Sequence, residues 1–264
     1  MGHIFDVHSA RLYESWCRSP QGKMMEKLAG QFMMLQLEPQ PGEKILDIGC
    51  GSGNQLLFFS SLGLDITGLD ASPCMIDKAR KRLGERCVFK KGLAEDIPFE
   101  DNEFDLATLN NTLEFIDNPV KALQEAGRVA RRGIFVGIMN SLSWYFFQGK
   151  VQGLFRDSLF KHARPLNLWE VKSCFQAALG PVPLEWRSSS FWPWLLDNFG
   201  GFFTKTIDSN HWPFGTFLGV SAKILYSMKT NNIPIKIDMK KAGQTIPSGA
   251  TMGHLRHQRG VHFD

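Results

Sequence analysis

Along residues 44–139 the apolar positions switch repeatedly between runs and helical spacing, and that switching sets the first expectations. Ile45, Leu46 and Ile48 around Asp47 predict a short buried strand, and Gly49, Gly51 and Gly53 follow where a side chain would obstruct a ligand. Asn54 to Ser61 is the helix this turn feeds. Asp65 to Asp70 predicts a second strand closed by an acid, with Ser72 as N-cap and Pro73 at the first helical position. Ile76, Ala79 and Leu83 give that helix its inner face, and Lys78, Arg80, Lys81 and Arg82 its wet one. Cys87 to Lys91 is a third strand. Phe104 to Asn110 is a fourth, nearly continuous in apolar character, as strands covered on both faces are. Asn118 and Pro119 start a helix predicted to reach Arg131-Arg132, with Gly133 just past its end, and Ile134 to Met139 is a fifth strand. Alternating strands and helices with short connections predict a parallel sheet covered by helices on both faces.

The flanks read differently. Residues 1–40 are expected to be helical: Met25, Leu28, Phe32 and Leu35 recur at helical spacing from Lys23 to Leu37, before Pro39 and Pro41-Gly42 end the pattern. After Asn140 the chain becomes aromatic, with insertions expected at about 141–165 and 190–214 of a domain spanning 41–227. Trp144 to Phe147 opens a helix. Asn167 and Glu170 form a capping-box start for another, with Val171, Cys174, Phe175 and Ala178 on its inner face and Gly180-Pro181 at its end. Leu184 to Ser188 and Thr216 to Ile224 predict two further strands. Residues 228–264 are polar and aperiodic and are expected to form an extended or flexible tail.

Composition narrows the classes. At 264 residues and 43% hydrophobic the chain can bury a full core. A net charge of +4 without any long Lys/Arg run gives no strong nucleic-acid signal. Cysteines 17, 50, 74, 87 and 174 are scattered singly, which points to reduced thiols and no zinc site. The sequence shows neither a leader nor an apolar run long enough to cross a bilayer, so a soluble cytoplasmic protein is expected, with peripheral membrane contact left open.

The glycine turn carries the chemistry. A dinucleotide fingerprint requires glycine where Asn54 stands, and a phosphate-gripping loop requires a Lys that is absent. What remains is Asp47 inside the turn and Asp70 at the tip of the second strand. An acid at that tip is placed for ribose hydroxyls, and an acid in the turn for an ammonium group. A nucleoside joined to an amino acid fits both.

Four motifs in order carry a resemblance: I-L-D-I-G-C-G-S-G, G-L-D-A-S-P-C-M-I-D-K-A-R, A-E-D-I-P-F-E-D-N-E-F-D and L-N-N-T-L-E-F-I-D-N-P. From about Glu43 to Asn140 the chain resembles the class I S-adenosylmethionine (SAM)-dependent methyltransferases, and within them the type 11 group that includes the ubiquinone and menaquinone C-methyltransferases. The resemblance implies a Rossmann-like α/β fold, a seven-stranded, mostly parallel sheet in the order 3-2-1-4-5-7-6 with strand 7 antiparallel. It implies SAM as donor and S-adenosylhomocysteine as product. Asp47, Gly49, Cys50 and Gly51 would meet the methionyl and ribose parts, Asp70 the ribose hydroxyls, and Ala71, Met75, Ala94 and Glu95 the adenine. Asn110 and Asn111 would sit near the methionyl amine or the methyl group, and Tyr13 would bring the N-terminal segment over the cofactor as a lid. Leu93 stands where the family commonly has an aspartate for the adenine amine, with Glu95 or Asp96 as replacements.

Methyl transfer from a sulfonium is an in-line displacement, so alignment and exclusion of water dominate and a base is needed only for some acceptors. The candidates for such a base are Tyr13, His8, Glu114, His162 and His211. The acceptor is expected to be a small, apolar or aromatic molecule methylated at C, O or N and met by the aromatic segments; a dimer contact or a membrane contact are the competing readings of those segments. Two alternatives stand beside this: a methyltransferase acting on protein or RNA, and a SAM-binding module without catalysis. The chain would act as a monomer or homodimer.

Overall fold

The computed structural model describes residues 4–151, 163–190 and 212–224, with side chains through Phe147 in the first stretch. Two helices precede the sheet. Asp6 caps α1 (Val7–Arg18) by accepting from Ser9 N, and Ser19 caps α2 (Pro20–Leu37), which has Pro20 in its first turn. α2 therefore begins three residues before the start the apolar spacing suggests, because the Ser19-Pro20 cap sets its origin.

The strands β1 (Lys44–Ile48), β2 (Asp65–Asp70), β3 (Val88–Lys91), β4 (Phe104–Asn110), β5 (Ala130–Met139), β6 (Leu184–Ser189) and β7 (Phe217–Lys223) form one seven-stranded sheet, β3-β2-β1-β4-β5-β7-β6. β1 to β5 pair in parallel, and β7 runs antiparallel between β5 and β6. Four helices follow individual strands: α3 (Asn54–Ser61), α4 (Pro73–Leu83), α5 (Pro119–Val129) and α6 (Trp144–Val151). A fifth, α7 (Leu168–Leu179), precedes β6 and starts on the Asn167–Glu170 capping box. The strand order is the one the resemblance implied.

One core lies beneath α5 and α7, where Leu123, Val171 and Phe175 pack on Ile134, Val136 and Val220. The other lies beneath α2 and α3, where Phe32, Met33 and Phe59 meet Ile45, Phe135 and Phe217. The two faces explain why β4 reads as a near-continuous apolar run.

One expectation is corrected. Arg131, Arg132 and Gly133 are not the end of α5 but the beginning of β5, which pairs with Phe104 from Ala130 onward. The arginines are held sideways: Arg131 Nε donates to Asp105 at 2.7 Å and Arg132 Nη2 to Glu43 at 2.8 Å. Gly133 caps nothing; a Cβ there would lie 2.8 Å from Leu37 Cδ2, so this glycine lets α2 lie against the sheet.

Past β5 the chain turns on Asn140, which is fully buried. Its Nδ2 donates to the carbonyls of Pro213 and Gly215, each at 2.8 Å, and its Oδ1 accepts from Leu142 N at 3.1 Å. Ser141 N donates to Leu166 O at 2.9 Å. The chain on both sides of residues 152–162, and the chain returning into β7, thus meet at one residue. Most of the second aromatic segment and the 228–264 tail lie outside the described residues.

Candidate cofactor site

The loops that follow β1, β2, β3 and β4 enclose a cavity of about 770 Å³ counted with its open mouth. Gly49 (φ +73°) and Gly51 (φ +52°) form its floor in the left-handed region. A Cβ on Gly49 would stand 2.3 Å from Thr112 Cγ2, and one on Gly51 3.3 Å from Tyr13 Cε1, so backbone takes the place of side chain against any occupant. Gly53 serves the fold instead: its Cβ would meet Leu83 Cδ1 at 2.7 Å, where the start of α3 lies against α4.

The electrostatics are one-sided. Among the described residues, Asp70 and Glu95 line the cavity and no Lys, Arg or His does. Asp47 lies behind the floor, 2% exposed, with Thr108 Oγ1 donating to its Oδ1 at 2.9 Å. Burial pushes the Asp47 carboxyl up to about 7; the bond from Thr108 pulls it back, and the charge of Asp70 pushes it further. Burial also raises Asp70, against hydrogen bonds from Ser72 N and Gly51 N, each 2.8 Å long. At the far wall Asn111 holds φ +49°, an uncommon conformation for a residue with a side chain, and donates its backbone N–H to Gly137 O at 2.8 Å. The Oδ1 atoms of Asn110 and Asn111 are buried without a hydrogen-bond partner. A desolvated carboxylate and orphaned acceptors on residues lining one cavity, with a second buried carboxylate behind its floor, call for an occupant that carries positive charge and N–H or O–H donors. SAM, with a sulfonium, an ammonium and ribose hydroxyls, has that chemistry, and the residues present fit it.

The N-terminal segment covers the site. Phe5 O accepts from Ser72 Oγ at 2.6 Å and from Cys74 Sγ at 3.3 Å, and the Phe5 ring meets Phe115 edge-on at 5.1 Å and Tyr13 at 6.0 Å. Burial holds the Tyr13 phenol well above its ordinary value, so it is protonated at neutral pH. On α2, Glu26 accepts from Asn54 Nδ2 at the start of α3.

All the residues expected at the cofactor line the cavity except Asp47 and Cys50. Asp47 sits one layer behind. The Cys50 side chain turns into the core beneath β2, its Sγ filling the space left by Gly68, because the left-handed glycines on either side rotate it away from the cavity. Leu93 and Glu95 line the wall while Asp96 is exposed, so of the two replacement acids only Glu95 faces inward. Sequence reasoning missed Phe5, Ser72, Thr112, Phe115 and Ile116 as lining residues. Ser72, Thr112, Phe115 and Ile116 stand within the quoted motifs, which was the available signal; for Phe5 there was none. Among the candidate bases, His8 is exposed on α1. Glu114 is buried and pushed up to about 7 by burial; its Oε1 accepts from Met139 N at 3.1 Å and its Oε2 has no partner. It lies off the cavity lining. His162 and His211 lie outside the described residues.

Residues 46–137 match the family model described as a methyltransferase domain. An uncharacterized protein of Methanocaldococcus jannaschii is 37% identical over 135 residues, 50% of this chain and 61% of that protein. A demethylmenaquinone methyltransferase of Renibacterium salmoninarum is 38% identical over 93 residues, 35% of this chain and 39% of that protein. The chain spans between about a third and three fifths of the length of the first curated relatives it matches. Among solved structures, a Thermotoga maritima protein described as a SAM-dependent methyltransferase, possible histamine N-methyltransferase, superposes with a TM-score of 0.62 at 22% identity, covering 81% of this chain and 94% of that one. The magnesium protoporphyrin IX methyltransferase of Synechocystis, solved with bound S-adenosylhomocysteine, gives a TM-score of 0.55 at 12% identity, covering 85% of this chain and 90% of that one. These structures share the fold.

Proposed function

We propose that this protein is a SAM-dependent methyltransferase acting on a small, apolar or aromatic acceptor. The observation that carries the reading is the cavity's charge: with Asp70 and Glu95 on its walls and Asp47 behind its floor, no cationic side chain among the described residues lines it. SAM, when bound, supplies an electrophilic methyl group on a positively charged sulfur. The residues of the chain hold and orient. Asp70, with a lone pair free on each oxygen beyond its two backbone bonds, accepts from ribose hydroxyls. Asn110 and Asn111 accept through their unpartnered Oδ1 atoms from the ammonium end. Ala71, Met75, Leu93 and Ile116 provide an apolar slot for the adenine, and Phe5, Tyr13 and Phe115 exclude water. The acceptor side is supported by the apolar walls at Ile4, Phe5 and Phe115, which favour an uncharged acceptor over a charged polymer.

Isothermal titration with SAM and with S-adenosylhomocysteine tests the donor: binding of both is expected, and Asp70→Asn is expected to weaken each by about tenfold or more. Absence of heat from either ligand would remove the reading. Incubation with isotope-labelled SAM and cell extract, followed by mass spectrometry, tests the acceptor; label found only in protein or RNA would refute the small-molecule assignment.

A further inference from the structure

A second cavity, of about 570 Å³ counted with its open mouth, meets the glycine turn at Ser52 and Asn54 and is walled by residues of α1, α2, α3 and α4. It shares no lining residue with the cofactor cavity, and its charge has the opposite sign. Arg18, Lys23 and Arg82 line it, each from a different helix, and none of them makes an ion pair among the described residues. The two acids on the same wall are engaged elsewhere. Glu14 is bound to Lys78 at 2.7 Å, and that bond, followed by the charges of Arg18 and Arg82, holds its carboxyl below the usual range. Glu26 accepts from Asn54 Nδ2. Burial raises the Glu26 carboxyl and pushes the Cys17 thiol up to about 12, which limits the negative charge on this wall. Ser52, 1% exposed, accepts from Arg82 Nη1 at 3.3 Å, while its own hydroxyl proton has no acceptor among the described residues.

We propose that this cavity binds a phosphate-type oxyanion, as the free ion or as the phosphoryl group of a small metabolite, and that the bound anion braces α1 over the cofactor cavity. Three unpaired cations repel a metal ion and attract an anion. Two guanidinium forks, an ammonium and a buried O–H donor outnumber the two oxygens of a carboxylate and suit the oxygens of a phosphate. The placement of the three cations gives the anion its effect. Arg18 stands on α1 five residues after Tyr13, whose ring lies against the glycine turn, where a Cβ on Gly51 would be 3.3 Å from Tyr13 Cε1. Lys23 stands on α2 and Arg82 on α4. An anion held by all three ties α1 to both of those helices and adds to the tie that Glu14 and Lys78 already make. Ser52 also follows Gly51, whose N–H donates to Asp70 at 2.8 Å, so the occupant bears on the turn that carries the cofactor cavity's floor. Coupling between the two cavities is reciprocal: each ligand raises affinity for the other by the same factor. The anion site stands apart from the methyl-donor reading, and only its effect on donor affinity rests on that reading.

The test is isothermal titration of the full-length chain, without SAM, with inorganic phosphate, with glycerol 3-phosphate and with acetate as a control for charge alone. Saturable one-site binding of phosphate or the phosphomonoester is expected, about tenfold or more tighter than acetate and weakened by added salt. Tighter binding of the phosphomonoester assigns the site to a metabolite, and the reverse order assigns it to the free ion. The double variant Arg18→Gln, Lys23→Gln alters two exposed side chains and is expected to melt at the wild-type temperature in phosphate-free buffer while binding phosphate about tenfold or more weakly. If it does not fold, Lys23→Gln alone carries the prediction, with a loss of about threefold. Hydrogen exchange of the α1 amides is expected to slow with phosphate, and SAM affinity to rise by about fivefold in the wild type and not in the double variant. Absence of saturable phosphate binding would overturn the proposal, as would acetate binding of equal strength or unchanged binding by the folded variant. Unchanged exchange on α1 with phosphate bound would overturn the bracing. The exchange measurement needs no methyl donor, so a protein that fails to bind SAM still decides the proposal.

Discussion

Replacing Asp47 by Asn should stabilise the ligand-free protein above neutral pH while weakening its hold on the donor. The carboxyl is 2% exposed and pushed from 3.8 up to about 7, chiefly by burial. A carboxyl raised in the folded state keeps its proton there after the unfolded chain has lost it. The associated stability is fully present below pH 4 and is lost as pH rises through about 7. The gap between 3.8 and about 7 corresponds to roughly 4 kcal/mol, at about 1.4 kcal/mol per decade. Asn keeps the acceptor for Thr108 Oγ1 but brings an amide NH₂ that needs a partner, a cost of about 1–3 kcal/mol. The net gain expected at pH 8 is therefore about 1–3 kcal/mol, or about 3–10 °C in melting temperature for a domain of this size. Glu114 titrates over the same window and is untouched by the substitution, so the decline in stability from pH 4 to 7 should shrink rather than vanish. Urea denaturation of both proteins at pH 5 and pH 8, with SAM titrations alongside, gives the comparison. Should Asp47→Asn prove less stable than wild type at pH 8, or bind SAM equally well, the account of a desolvated carboxylate awaiting a cation would be wrong.

Three other outcomes follow from the same geometry. Because a cationic ligand favours ionised Asp47, donor affinity should rise between pH 6 and pH 8 with release of a proton; titration in two buffers of different ionisation enthalpy reads that proton directly, and Asp47→Asn should abolish it. Gly137→Ala would place a Cβ 2.2 Å from Asn110 Oδ1 and 2.8 Å from Phe217 Cζ, so it should cost about 1–3 kcal/mol in urea denaturation and weaken donor binding by displacing Asn110. Asn167→Ala removes the side chain that accepts from Trp169 N and Glu170 N at the start of α7, and it should cost about 1 kcal/mol with donor affinity unchanged.

The parts of the fold that could be read from the sequence are those in which local and global signals agree. The Asn118-Pro119 and Asn167–Glu170 starts and the glycine turn are fixed by residues a few positions apart, and the structure contains each as expected. The end of α5 was misread because Arg131-Arg132-Gly133 has the local form of a helix terminus, whereas its state is decided by partners far away in the chain: Asp105, Glu43 and Leu37. The site shows the same division. Residues within the motifs could be placed on the cavity, but the orientation of Cys50, turned inward between two left-handed glycines, depends on backbone torsions that its spacing does not encode. Phe5 was out of reach for a related reason: its position rests on its backbone carbonyl, which Ser72 and Cys74 hold from sixty-seven and sixty-nine residues away.

Asn140 has a consequence for how such a protein can diversify. Because one buried side chain fastens both the departure at Leu142 and the return at Pro213 and Gly215, the connection that leaves β5 and the one that enters β7 share a common base. Lengthening, shortening or exchanging those stretches leaves the pairing of β5 with β7 and the donor cavity untouched, provided the amide at 140 still finds its three backbone partners. A chimera that keeps Asn140, Leu142, α7, β6 and Pro213 to Gly215 and takes residues 143–165 and 190–212 from another such domain should bind the same donor with a new choice of acceptor. Asn140→Ala should disorder both stretches at once.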